Sequence, residues 1–139
     1  MFSGMSTNSV DSKGRIVLPA KFREALGESF YVAKGFKTDC IQVMSKERFD
    51  EINEKIMELP ANKMMALQYA FTATASEVTP NASGRIQLPQ ALRELAKIEG
   101  EAVVIGMNKC IEIWNFEKYK EFTASLSDVL DEALDMLRL

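Results

Sequence analysis

Polar and apolar residues alternate in two short segments that are near copies of each other. Each segment predicts a half-buried strand whose second and fourth residues point inward, and these strands are Arg15–Leu18 and Arg85–Leu88. A turn signal precedes each strand, with Asp11 or Asn81 at its first position and Gly14 or Gly84 at its fourth. The pattern therefore predicts a hairpin in each copy, in which the residues before the turn form the other strand.

The same order of elements follows both turns, at an offset of 70 residues. Pro19 and Pro89 predict a helix start, two further strands come next, and Ser45 and Asn115 predict the N-caps of longer helices. Residues 71–79 are predicted to form a strand. We therefore expect a tandem duplication with a first repeat, a helical connection, a second repeat and a C-terminal amphipathic helix, at residues 1–60, 61–71, 72–125 and 126–139.

The C-terminal segment from Ser127 onward predicts an amphipathic helix. Its apolar residues share one face and its acidic residues lie opposite. Two interpretations remain open: the apolar face packs on its own domain, or it contacts a neighbouring subunit. The apolar residues are Val129, Leu130, Ala133, Leu134 and Leu137.

The composition is that of a globular protein, with 139 residues of which 47% are hydrophobic. Units of about 70 residues bury little core alone, so the halves should pack on each other or on other subunits. No signal peptide or membrane-length apolar run is recognised, and a cytoplasmic location is expected. For Cys40 and Cys110 we expect buried packing rather than a disulfide, with redox sensing as the alternative.

The distribution of charge along the chain says more about possible binding partners than the net charge of −3 does. Basic side chains concentrate in residues 11–26 and 81–94, and acidic ones in residues 128–138. A local basic patch can bind phosphate even in an acidic protein. The chain has no histidine, no C-x-x-C pair and no glycine-rich phosphate loop. We therefore expect no enzymatic activity, no cofactor, no metal and no small-molecule substrate.

Arg15 and Arg85 each follow a turn, and three roles are open for them. Arg15 could pin its own turn through a charge-assisted bond to Asp11, whereas Asn81 offers Arg85 no carboxylate. Alternatively, the arginines could contact nucleic acid, which would also explain the nearby lysines. Contact with another protein is the third possibility.

Several segments together resemble the MraZ family of bacterial transcriptional regulators, which have two tandem AbrB-like (SpoVT-AbrB) domains. The resemblance spans nearly the whole chain and rests on MFSG, VDSKGRIVLPAKFREAL, CIQV and SGRIQLPQALRELAKIEGEAVVIGMNKCIEIWNFEKY. It implies a β-rich α+β fold: a tandem AbrB-like swapped-hairpin β-barrel, forming a pseudo-dimer within one chain, with short flanking helices. It also implies a ring-shaped homo-oligomer, associated with the nucleoid, that binds direct repeats in double-stranded DNA upstream of the division and cell-wall gene cluster, usually as a repressor.

The resemblance carries over to particular positions. Asp11, Gly14 and Arg15 match the first motif, and Gly84 and Arg85 match the second. The second motif departs from the family pattern, because Asn81 stands where the family usually has Asp. Asn8 likewise stands where a histidine is common in relatives.

These observations predict that the first hairpin reads DNA and that the second mainly supports it. Arg15 is expected to contact a base, with Lys13 on a neighbouring phosphate. The other candidate DNA-binding residues are Asp11, Gly14, Arg85, Lys21, Arg23 and Arg93. The alternative function is an oligomeric protein-interaction or assembly module that uses the acidic C-terminal helices.

Overall fold

A computed structural model describes all 139 residues, and short strands alternate with short helices along the chain. The strands are Met5–Ser9 (β1), Arg15–Val17 (β2), Phe30–Lys34 (β3), Ile41–Ser45 (β4), Ser76–Val78 (β5), Arg85–Gln87 (β6), Glu101–Met107 (β7) and Cys110–Trp114 (β8). The helices are Ala20–Leu26 (α1), Lys46–Met57 (α2), Ala61–Ala70 (α3), Gln90–Ala96 (α4), Phe116–Ala124 (α5) and Ser127–Leu137 (α6). The predicted β-rich α+β class is confirmed.

The strands form two antiparallel sheets, and each sheet mixes strands from both copies of the repeat. The six-stranded sheet has the order β1-β7-β8-β4-β3-β5, and the two-stranded sheet pairs β2 with β6. Strand β1 of the first copy thus pairs with β7 of the second, and β5 of the second copy pairs with β3 of the first. The two copies therefore fold as one interleaved unit.

The predicted hairpin within each copy is wrong. Strands β1 and β2 form no ladder: an isolated bridge between Val10 and Ile16 and a side-chain hydrogen bond from Asn8 to the Val17 carbonyl join them, and β2 instead pairs with β6. This pairing sets Ile16 opposite Ile86, and each is 1% exposed. Because a copy of about 70 residues has too little apolar surface to cover its own strand, burial is completed by the other copy.

The main core joins the two sheets. It consists of 20 buried residues, and it includes Leu18 and Leu88, the predicted inward residues at the ends of β2 and β6. Helices α1 and α4 follow these strands and add Phe22 and Leu92 to the same core. The core is therefore shared by the two copies and fixes β2 and β6 side by side.

The longer helices cover the opposite face of the six-stranded sheet. Ser45 caps α2 by accepting a hydrogen bond from the Arg48 amide (3.1 Å), and Asn115 caps α5 in the same way, so both predicted caps are confirmed. The predicted strand at residues 71–79 is only partly correct. A 3₁₀ helix occupies Thr72–Thr74, and only Ser76–Val78 is extended.

Both cysteines are free and packed against apolar neighbours, as predicted. Cys40 is fully buried and Cys110 half-buried. Burial raises the pKa of the Cys40 thiol to about 12 and that of the Cys110 thiol to about 11. Because the thiolate is the reactive form, burial disfavours reaction of either side chain at neutral pH.

Helix α6 does not pack on its own domain, so the first of the two interpretations for it is wrong. Its large apolar residues are exposed, from 50% at Leu134 to 83% at Met136. In the first copy, Pro60 separates helices α2 and α3. Helix α3 folds back on α2, and its Met64 and Leu67 pack against the core cluster that contains Ile52 and Ile56 of α2. No proline separates α5 from α6, Leu126 joins them in the bridge region (φ −94°, ψ 1°), and every residue of α6 is exposed. None of the helices combines the length and the apolar character needed to cross a bilayer.

Candidate nucleic-acid interface

The β2–β6 pair forms a two-stranded ribbon that brings the two arginines of the repeat to one surface. In its register, Arg15 faces Gln87, and Val17 faces Arg85. Because side chains alternate along a strand, the central isoleucines point into the core and these four residues point outward. Arg15 and Arg85, far apart in sequence, therefore share the outer face of the ribbon.

The first turn, Asp11 to Arg15, is closed by main-chain and side-chain hydrogen bonds. The Asp11 amide donates to the Arg15 carbonyl (3.0 Å), and the Gly14 amide donates to the Asp11 carbonyl (2.9 Å). Asp11 Oδ1 accepts from the amides of Lys13 (3.0 Å) and Arg15 (2.8 Å). Gly14 has a φ of +79°, a left-handed conformation that favours glycine. The turn signal in the sequence thus describes the local geometry correctly.

The other oxygen of the Asp11 carboxylate lies between the two arginines. Arg15 Nε donates to Asp11 Oδ2 at 2.8 Å, and Arg85 Nε lies 4.0 Å from the same oxygen. The hydrogen bond from the Arg15 amide is the main cause that lowers the pKa of the Asp11 carboxyl, and the Arg15 guanidinium lowers it further. One carboxylate of the first copy thus bonds Arg15 and lies at ion-pair distance from Arg85 of the second copy.

The outer nitrogens of both arginines remain available to a ligand. The side chains are 34% exposed for Arg15 and 44% for Arg85, and only their Nε atoms contact Asp11. A depression of about 210 Å³ lies beside them, with Asn8 and Val17 in its lining. The terminal groups of two guanidinium ions are therefore presented together at one open surface.

The second turn, Asn81 to Arg85, repeats the backbone geometry without the carboxylate. Asn81 Oδ1 accepts from the amides of Ser83 (2.9 Å) and Arg85 (3.0 Å), and Gly84 has a φ of +77°. The Arg85 side chain does not bond to Asn81 and turns to Asp11 instead. Asn81 therefore shapes its turn but does not orient the arginine.

Lys13 is exposed at the tip of the first turn, and its backbone is tied to the second copy. Gln87 Nε2 donates to the Lys13 carbonyl (2.7 Å), and the Leu88 amide donates to the Gly14 carbonyl (3.0 Å). Sequence analysis missed Gln87 because its partner lies in the other copy. The only signal was that Gln87 occupies the position that the apolar Val17 holds in the first copy.

The remaining candidates are anchored by main-chain carbonyls rather than by Asp11. Lys21 Nζ donates to the Ser3 carbonyl (3.1 Å) and lies 5.2 Å from the centre of the Phe22 ring. Arg23 Nε donates to the Leu18 carbonyl (3.0 Å), and Arg93 Nε makes the equivalent bond to Leu88 (2.9 Å). The structure thus groups Asp11, Lys13, Gly14, Arg15 and Arg85, places Arg93 and Arg23 against the turns at Gly14 and Gly84, and anchors Lys21 elsewhere.

Comparison with known proteins places this arrangement in a family. The profile of the family described as "MraZ protein, putative antitoxin-like" matches residues 1–67 and again 71–136. A protein named "Transcriptional regulator MraZ" from Caldanaerobacter subterraneus subsp. tengcongensis is 39% identical over 99% of this chain and 96% of its own length. A protein of the same name from Desulforamulus reducens is 36% identical over 99% of this chain and 100% of its own length. The chain belongs to the MraZ family.

The double match to the MraZ profile agrees with the duplication seen in the sequence and in the fold. Each matched segment contains one turn-and-strand unit and the helix that follows it. The boundaries predicted at residues 60, 71 and 125 stay predictions, because the copies exchange strands. In this MraZ family member the outer face of the ribbon belongs to neither copy alone.

Exposed guanidinium and ammonium groups on a two-stranded ribbon suit the recognition of nucleic acid. A β-ribbon has the width of the DNA major groove, and arginine can donate two hydrogen bonds to guanine there. Lysine at a turn tip can contact phosphate as a point charge. Clusters of three or more histidine, cysteine or acidic side chains in a metal-binding arrangement are absent from the structure.

Proposed function

We propose that this chain is a sequence-specific DNA-binding transcriptional regulator whose β2–β6 ribbon contacts double-stranded DNA. The observation that carries the proposal is the pairing of Arg15 and Arg85 around Asp11 on an exposed ribbon face. Membership of a family whose relatives are named transcriptional regulators supports it. The proposal describes a binding protein rather than an enzyme.

In this proposal Arg15 reads a base edge and Lys13 binds a phosphate. Arg15 Nε donates to Asp11, so the side chain is oriented by a turn that several hydrogen bonds close, and its terminal nitrogens stay free. Preorganisation of this kind lowers the entropy cost of forming a bidentate contact with guanine. Lys13 lies two residues from Arg15, at the tip of the same turn, where the phosphate backbone would flank the groove.

The regulator is proposed to act as a ring-shaped homo-oligomer assembled through α6. The uncovered apolar face of α6 is the observation that favours this, because an exposed apolar stripe of this kind marks an interaction site. One ribbon alone should bind DNA feebly. Several ribbons on successive DNA repeats would gain affinity through effective concentration, provided that the repeat spacing matches the subunit spacing.

The finer assignments rest on the resemblance to the family. They are binding to short direct repeats upstream of the division and cell-wall gene cluster, repression of that cluster, and a cytoplasmic, nucleoid-associated location. Identifying the DNA sequence that the ribbon binds would test whether these repeats are its target.

The proposal is tested by fluorescence anisotropy with a duplex from the region upstream of the protein's own gene. Arg15→Ala should weaken specific binding by about 1–3 kcal/mol, the cost of a lost bidentate contact. Lys63→Ala, which removes an exposed charge on α3, is the matched control and should bind like the wild type. Size-exclusion chromatography should show the same oligomer for all three proteins. Unchanged binding by Arg15→Ala would contradict the proposal.

The second candidate function is an assembly module that binds another protein through α6. The exposed apolar face of α6 and its acidic residues favour this reading equally well. Salt separates the two functions, because binding through phosphates weakens steeply as salt rises, whereas an apolar protein contact does not. A partner that remains bound at high salt, with no detectable DNA binding at low salt, would favour the assembly module.

A further inference from the structure

Arg93 of the second copy lies directly against the turn that carries Arg15. Its Nε donates to the Leu88 carbonyl (2.9 Å), which fixes the side chain at the end of β6. Its guanidinium covers Gly14, and a Cβ atom at that position would collide with it. The absence of a side chain at Gly14 therefore serves two purposes: it permits the positive φ, and it leaves room for a planar cation from the other copy.

Arg23 of the first copy repeats this arrangement on the opposite turn. Its Nε donates to the Leu18 carbonyl (3.0 Å), and a Cβ atom on Gly84 would lie 3.1 Å from its Nη1. The reciprocity follows from the fold. Because β2 pairs antiparallel with β6, the helix that follows each strand begins beside the turn of the other copy.

Neither arginine is held by a carboxylate. Every salt bridge in the structure involves other residues, and both side chains are only half-buried. Their charge is therefore not needed to neutralise an acid. Instead, each Nε–H group donates to the carbonyl at the end of a strand, and each planar guanidinium packs against the backbone of a glycine.

We propose that Arg93 and Arg23 are positioning residues that brace the turn of the opposite copy, so that Arg15 is aimed by an arginine of the second repeat. Arg93 acts on the first turn together with the cross-copy bonds to the Lys13 and Gly14 carbonyls. This inference rests on the proposed DNA-binding function. It differs from the sequence-based expectation, in which both arginines were candidate DNA contacts.

Charge-preserving substitution separates a brace from a phosphate contact. Arg93→Lys keeps the positive charge but loses the Nε–H donor and the planar group. A lysine can replace an arginine on phosphate as a point charge, so a phosphate contact would be largely rescued. A brace would not be rescued, and we expect specific affinity to fall about tenfold while non-specific affinity stays unchanged. Lys63→Arg, a charge-preserving exchange of the same two residue types at an exposed position on α3, is the matched control.

The salt dependence of binding provides a second, independent readout. If Arg93 contacts a phosphate, Arg93→Ala should reduce the slope of log affinity against log salt by about one. If Arg93 is a brace, the slope should stay that of the wild type although specific affinity falls. A merely structural loss of stability would not produce this combination, because the folded fraction would lower specific and non-specific binding alike.

Amide hydrogen exchange of the free protein tests the brace without DNA. Arg93→Lys should accelerate exchange in the turn residues 11–14 and leave the turn residues 81–84 unchanged, whereas Arg23→Lys should do the reverse. Gly14→Ala, which disturbs the same contact from the other side, should reproduce the Arg93→Lys pattern. Its effect on specific binding should be non-additive with that of Arg93→Ala.

Failure of this inference is distinguishable from failure of the proposed function. If the wild type binds specifically and Arg15→Ala does not, wild-type-like binding by Arg93→Lys overturns the brace alone. A reduced salt slope for Arg93→Ala, or equal exchange changes in both turns, also overturns it. If the wild type shows no specific binding but the exchange changes are confined to the opposite turns, the brace stands and the proposed function fails.

Discussion

The two turns of the ribbon have nearly the same backbone and different side-chain chemistry. In both, the first residue accepts two amide hydrogen bonds through Oδ1, and the fourth is a glycine with positive φ. Asp11 is a carboxylate and Asn81 an amide, so only Asp11 offers a second, negatively charged oxygen. Both Arg15 and Arg85 approach that oxygen. The backbone of a turn can therefore be duplicated while the group that orients the arginines is present once.

This difference makes the first turn the organising half of the site. Its backbone is tied to the second copy by hydrogen bonds from Gln87 and Leu88, whereas Val17, the counterpart of Gln87, has no side-chain donor. Lys13 adds an exposed charge at its tip, where the second turn has Ser83. The expectation that the first turn reads DNA and the second supports it stays a prediction, and it now includes Arg85 as a neighbour of Arg15.

The largest expected effect distinguishes the two arginines. Arg15→Ala should cost about 1–3 kcal/mol in specific DNA binding, because a fixed bidentate base contact is lost. Arg85→Ala should cost less than about 1 kcal/mol, since Arg85 lies 4.0 Å from Asp11 and is less firmly held. Titration of both variants with the same duplex measures the difference. Equal losses would show that the two copies read DNA alike.

Asp11→Asn should have the next largest effect, since it makes the first turn chemically equal to the second. The amide bonds to Oδ1 can persist, as they do at Asn81, but both arginines lose their common carboxylate. We expect specific affinity to fall severalfold while non-specific affinity rises, because a negative charge has been removed from a basic surface. Comparing a cognate with a scrambled duplex checks this. An unchanged ratio of the two affinities would contradict the orienting role of Asp11.

Asn81→Asp is the converse change and should have a smaller effect. The new carboxylate would compete with Asp11 for Arg85, but exposed ion pairs contribute at most about 1 kcal/mol. Specific affinity should therefore change by less than about fivefold. A loss as large as that of Arg15→Ala would mean that the position of Arg85 matters more than the comparison of the turns suggests.

The smallest effect is expected from pH. The pKa of the Asp11 carboxyl is lowered from 3.8, chiefly by the Arg15 amide. A lowered pKa in the folded state gives a stabilisation that is present above the unfolded value and is lost as pH falls through the folded one. DNA binding should thus be insensitive to this group between about pH 5 and 8. A carboxyl carbon NMR titration of Asp11 with a midpoint at or above 3.8 would contradict the hydrogen bonds that Arg15 donates to this carboxylate.

Local features could be predicted from the sequence because they depend on neighbouring residues. The inward positions of Ile16 and Leu18, the helix starts after Pro19 and Pro89, and the two N-caps all follow from short-range patterns. The partner of each strand could not be predicted in this way. A period-two pattern states which face is buried, but it does not state whether the covering strand belongs to the same copy.

The missed features of the site have the same cause. Gln87 bonding to Lys13, Arg85 approaching Asp11, and Arg93 covering Gly14 all join the two copies. Each depends on the exchange of strands and leaves no mark at a fixed sequence spacing. The exposed position of α6 was also ambiguous, because an amphipathic pattern does not identify the surface that covers it.

A hydroxyl-radical footprint on the DNA upstream of the protein's own gene tests the central claim most directly. We expect protection of short, regularly spaced direct repeats by the wild type, and loss of that protection with Arg15→Ala at a concentration where the oligomer is intact. A footprint that Arg15→Ala leaves unchanged would contradict the assignment of the β2–β6 ribbon as the DNA-reading surface.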